Sequence, residues 1–167
     1  MLDLRDAEIK HALRLERCHV GGGINLADAT GRAIMLEQCR LGAVNLMGAS
    51  ITGRLSLGGS QLEVEDGPAL VGDGMSVTGG MACDKGSSAT GAIRLPGASI
   101  GGRLSFRGSR LVSRSGPALI GNGLMMTEDM VCDEGFRTDG EIRLPGAQIG
   151  GRLSFSDAVL AGSDGRP

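Results

Sequence analysis

Residues 91–106 read GAIRLPGASIGGRLSF and residues 140–155 read GEIRLPGAQIGGRLSF, so an offset of 49 leaves only two positions different. The same offset relates GPALVGDGMSVTGGMAC, from Gly67, to GPALIGNGLMMTEDMVC, from Gly116. A repeat of this length predicts stacked units, each burying its apolar face on the next.

A finer period runs inside the long one. Leu4, Ile9, Leu15, Val20 and Leu26 recur at steps of five or six, and so do Leu36, Leu41, Leu46, Ile51, Leu57 and Leu62. Gly31 fills the one step between Leu26 and Leu36. Five is neither the 3.6 of a helix nor the 2 of an uninterrupted strand. It suits a short strand and a tight turn repeated around a square.

The residues two before these positions share their face of the strand. They alternate large and small: Leu2, Ala7, Leu13, Cys18, Ile24, Ala29, Ile34, Cys39, Val44, Ala49, Leu55, Ser60. The residues between are polar except Met35, and are expected to face solvent. The predicted fold is all-β: a single right-handed parallel β-helix with four short strands per coil and about seven coils. At ~4.8 Å per stacked strand the rod is roughly 34 Å tall. Residues 1–62 carry the regular five-residue units. Residues 63–167 carry the 49-residue double coil with corner inserts at Glu63–Gly67, Asp84–Gly91, Val112–Gly116 and Asp133–Glu141, within the same solenoid.

Composition agrees. Glycine supplies 30 of 167 residues, expected at the corners, while tryptophan and tyrosine are absent and phenylalanine occurs three times. A narrow bore filled by Leu, Ile, Val, Met and Ala needs no large rings. The net charge of −2 carries no basic footprint, so direct nucleic-acid binding is not expected. No apolar run approaches the ~18 residues of a membrane span. The start, MLDLRDAE, is not a secretory signal. A cytoplasmic location with reduced thiols is expected.

Units such as Val44-Asn45-Leu46-Met47-Gly48 and Ala49-Ser50-Ile51-Thr52-Gly53 resemble those of pentapeptide-repeat proteins. The resemblance implies a right-handed quadrilateral β-helix. It covers Leu2 to Leu62 almost continuously, and the inserts and six-residue steps interrupt it afterwards. The 49-residue unit is also similar to long bacterial repeat proteins with RLxGAxIxGxL and GPALxxDG motifs, sometimes described as membrane-associated oxidoreductases. No cofactor motif here supports that activity.

Several residues are candidates for contact with a partner. Arg54, Arg103 and Arg152 recur at one corner, with Glu128 and Asp129 expected between the last two. They predict either a column of alternating surface charge or an anion-binding edge. The segment Asp133–Glu141 reads as an acidic loop in which Asp133, Phe136 and Asp139 are candidate contacts. Cys18 and Cys39 are expected to stack with Ser60 as small core residues, and Cys83 and Cys132 to lie in the core. No CxxC pair, EF-hand or phosphate loop is present, so no metal, cofactor or catalytic residue is assigned.

The expected function is a non-enzymatic scaffold for protein interaction or assembly. The pattern starts at Leu2 and stops inside a repeat, which predicts open coil ends that belong to a longer repeat protein or associate with one another. Two alternatives stand beside it. The family resemblance implies a topoisomerase-binding, antibiotic-resistance protein, although 15 arginines weigh against an acidic DNA-like rod. A β-helix enzyme acting on carbohydrate is the other, poorly served without Trp or Tyr platforms.

Overall fold

A computed structural model describes residues 1–162. Among them every strand pairing is parallel and no helix occurs. The last residues of the repeat in which the pattern stops, 163–167, lie outside the described residues.

The chain winds as a right-handed parallel solenoid of about seven coils, four strands to a coil. Wall 1 stacks Leu2–Asp3, Ile24–Asn25, Val44–Asn45, Leu70–Val71, Ile93–Arg94, Leu119–Ile120 and Ile142–Arg143. Wall 4 stacks His19–Val20, Arg40–Leu41, Gln61–Glu63, Ser88–Thr90, Arg110–Val112, Arg137–Asp139 and Val159–Ala161. Walls 2 and 3 join into one sheet because two long strands, Glu8–Glu16 and Thr30–Glu37, bend around their shared corner. Above them wall 2 continues through Ser50–Ile51, Ser76–Val77, Ser99–Ile100, Met125–Met126 and Gln148–Ile149. Wall 3 continues through Leu55–Ser56, Met81–Ala82, Leu104–Ser105, Met130–Val131 and Leu153–Ser154.

Each coil satisfies its backbone on the next. The Ile24 N–H donates to the Ala43 carbonyl at 2.8 Å and the Leu26 N–H to Asn45 at 2.7 Å, and this ladder recurs up the rod. From Val44 onward successive wall-1 strands start 26, 23, 26 and 23 residues apart, so two coils make the 49-residue period. The extra residues lie at the corner between walls 4 and 1 in one coil and between walls 3 and 4 in the next.

The expected inward positions form one continuous core from Ile24 to Phe136. A fully buried Leu or Ile contributes about 1.5–3 kcal/mol, and these columns hold many. Ser56 is outward yet buried, its hydroxyl donating to Glu37 Oε1 at 2.8 Å.

Large and small do not keep one order throughout. Wall 1 has Leu95 where the flanking coils have Gly72 and Gly121, and wall 2 answers with Ala98 between Met75 and Leu124. A Cβ at Gly72 would press on the Met75 Sδ and the Leu95 methyl, both at 2.9 Å. The large side chain has moved across the corner while the summed volume stays level, as close packing requires.

Glycine serves the corners for two different reasons. Between walls 1 and 2 the corner residue has positive φ in every coil, from Asp6 (58°) to Gly146 (68°). Between walls 2 and 3 positive φ is absent. There a Cβ on Gly101 would run into the Thr78 carbonyl of the coil below. Close approach of successive turns, not φ, is what calls for glycine at Gly101.

Candidate functional site

Arg54, Arg103 and Arg152 do stack at the corner between walls 2 and 3. Arg103 Nη2 lies 3.9 Å from Asp129 Oδ2, with half of its side chain exposed. The backbone N–H of Arg152 donates to Asp129 Oδ1 at 2.8 Å. Asp129 thus separates these two arginines as expected. Between Arg54 and Arg103, however, the same corner is Gly80, which brings no carboxylate.

That difference creates a notch on wall 3. Its floor is Gly80, Met81 and Ala82, and its rim is Arg54, Arg103, Arg107, Asp84 and Ser105, around a space of about 290 Å³. Arg107 sits at the far corner of the same coil as Arg103. Its Nε is buried and has no hydrogen-bond partner. The nearest carboxylate, Glu134 Oε1, is 3.9 Å away, too far for a hydrogen bond. Arg94 shows the contrasting case: its Nε and Nη2 donate to the two Asp73 oxygens at 3.3 and 2.6 Å, and that pairing raises the pKa of Arg94.

The acidic segment resolves differently from the expected loop. Arg137–Asp139 is a wall-4 strand, because its backbone completes the ladder between Arg110–Val112 and Val159–Ala161. Phe136 is not an exposed contact: it is fully buried, its ring 6.1 Å from Phe106 and 6.5 Å from Phe155. Asp133 is half-buried and holds the next coil, accepting from Ser154 Oγ at 2.7 Å and the Ser156 N–H at 2.8 Å. Asp139 faces outward on wall 4 beside Arg110 and Arg137. The four carboxylates expected together are therefore dispersed over two corners and a wall. Among the described residues no three His, Cys, Asp or Glu side chains gather as a metal site.

A second recess of about 310 Å³ opens between the two corner loops 49 residues apart. Glu65 and Asp66 stand on one jaw and Arg114 on the other, over Gly91. Its charges are opposed across the gap, so it selects neither sign.

All four cysteines are free thiols. Cys39 is buried and its Sγ donates to the Glu37 carbonyl at 3.2 Å; burial raises its pKa. Burial pushes Cys83 and Cys132 up to about 12. These thiols are protonated core residues, poorly suited as nucleophiles or metal ligands.

Sequence reasoning missed Arg107 and the notch. The 49-residue offset aligns Arg107 with Ser156, so no period marks it. Gly80 aligns with Asp129, and that single exchange distinguishes an open corner from a neutralised one.

Compared with known proteins, the chain matches no family model, no curated protein and no solved structure. Among the described residues no helix is long and apolar enough to cross a membrane.

Proposed function

We propose that the chain is a non-enzymatic β-solenoid of the pentapeptide-repeat kind, acting as a cytoplasmic scaffold for protein interaction or assembly. The observation that supports it is the register of the walls. Outward residues such as Asn25, Asn45, Val71 and Arg94 are hydrogen-bonded neighbours in one column. A partner therefore meets side chains held at one-strand spacing, with little ordering entropy left to lose on binding. The free thiols support a reducing compartment.

The test is purification from its source cells of the wild type beside a variant carrying Arg54→Glu, Arg103→Glu and Arg152→Glu. A stoichiometric partner retained by the first and lost by the second supports the reading, as does concentration-dependent self-association of the pure protein. Substrate turnover by the pure protein would refute it.

A further inference from the structure

Three guanidiniums converge on the wall-3 notch, and among the described residues none donates a hydrogen bond there. Arg54 approaches from one coil, Arg103 and Arg107 from two coils further along, over Gly80 and Ala82. Against them stand Asp84 on the rim and, 3.9 Å from Arg103 and Arg107, Asp129 and Glu134, none of them hydrogen-bonded to a guanidinium of the notch. The Arg107 Nε is buried without an acceptor. A buried, unsatisfied donor costs free energy, more so on a charged group, and its nearest carboxylate, Glu134, stays 3.9 Å away. Asp129, which fills this corner in the next double coil, supplies such an anion covalently; here Gly80 leaves the position open.

The surroundings decide the size of the ligand. Glu37 lies beyond the notch on the Ser56 side, and Asp129, Asp133 and Glu134 lie on the coil beyond Arg103 and Arg107. An extended polyanion, such as nucleic acid or a run of acidic residues, would leave the notch and meet these carboxylates. A compact anion meets fewer of them. Three planar donor forks match a multi-oxygen anion better than a single carboxylate does.

We propose that the notch formed by Arg54, Arg103 and Arg107 binds a compact oxoanion dianion, the phosphoryl group of inorganic phosphate or of a phosphomonoester. The guanidiniums close on its oxygens, and Ser105 provides a hydroxyl at the rim. Nothing in this site requires a protein partner, so its failure leaves the scaffold reading untouched.

The experiment titrates the full chain with inorganic phosphate, phenyl phosphate and benzoate at low salt and near neutral pH. There a phosphomonoester is largely dianionic, its second pKa being about 6. Calorimetry reads affinity and the arginine Nε–H resonances report the site. The expected result is saturable phosphate or phenyl phosphate binding that shifts the Arg107 Nε–H signal. Arg54→Ala, Arg103→Ala and Arg107→Ala should each weaken it about tenfold, the loss of one charge-assisted contact. Ala82→Glu should abolish it by supplying a carboxylate on the floor, while Arg17→Ala, on a distant coil, leaves it unchanged. Thermal melting of each variant confirms that it is folded. Tighter binding of phenyl phosphate assigns an ester, and equal binding assigns the free ion. Benzoate binding as tight as phenyl phosphate, binding that survives all three alanine substitutions, or an unmoved Arg107 Nε–H signal would overturn the proposal.

Discussion

The ring of Phe136 lies 6.1 Å from that of Phe106 although the two occupy different core columns. Phe106 and Phe155 end wall-3 units, and each is followed at the next inward position by a small residue, Ser109 or Ala158. In the coil between them the order is reversed: Cys132 is small and Phe136 is large. The aromatic volume has crossed the corner between walls 3 and 4 and still stacks with its neighbours. Phe136→Ala removes this ring from a fully packed site. It should lower unfolding free energy by about 3–5 kcal/mol, read from the urea midpoint. A change under about 1 kcal/mol would show that the neighbours collapse into the gap.

One coil lacks this compensation. Cys83 and Ser87 are both small at these positions, and Ala89 stands where wall 4 has Leu62 and Leu111 in the flanking coils. A small apolar space remains beside them. Ala89→Val adds two methyl groups in a strand that favours β-branching. It should raise stability by about 1 kcal/mol. A lower melting temperature would mean that the space is already closed in solution.

Thr138 occupies the same inward column, and its hydroxyl is buried without a partner. Thr138→Val keeps the shape and removes the stranded oxygen. Stability should rise by about 1–2 kcal/mol. Loss of stability in chemical denaturation would reveal a bound water as the hydroxyl's partner.

Gly101→Ala tests the corner between walls 2 and 3. The added Cβ meets backbone, not a flexible side chain. The variant should lose about 2 kcal/mol or more, whereas Gly74→Ala, which meets nothing nearby, should lose only the smaller cost of positive φ.

The buried thiols predict the alkaline response. In the unfolded chain a cysteine titrates near 9, while folded Cys83 and Cys132 keep their protons up to about 12. Above pH 9 deprotonation therefore favours the unfolded state. The stability these thiols contribute is complete below 9 and falls as the pH climbs towards 12, by up to about 1.4 kcal/mol per pH unit for each thiol. Denaturation midpoints between pH 8 and 10.5 should decline less steeply in a Cys83→Ala, Cys132→Ala double variant. Equal slopes would place the titration elsewhere.

Most of the fold is legible in the sequence because its determinants are local. A five-residue step with alternating inward sizes from Leu2 to Leu62 fixes strand, turn and face together. Phe136 is not legible in the same way. It sits in Asp-Glu-Gly-Phe-Arg, a polar context that reads as loop, and one extra residue at the corner hides its alignment with Ser60 and Ser109. The arginine corner is half legible: Arg54, Arg103 and Arg152 announce themselves by recurrence. Arg107 does not, because a site on a repeat protein arises where the repeat breaks, and periodicity reports only where it holds.

The exchange of sizes between alternate coils also sets a quantum for changes in the chain's length. Excising Ile93–Glu141, one 49-residue module, would seat Ile142 where Ile93 had been, on Leu70, and preserve the large–small order of walls 1 and 2. Excising a single coil would instead lay Gly121 on Gly72 and Leu124 on Met75, a gap along one wall and a collision along the next. Recombination between copies therefore keeps that order in pairs of coils and breaks it in odd ones, which makes the double coil the natural unit of growth and loss.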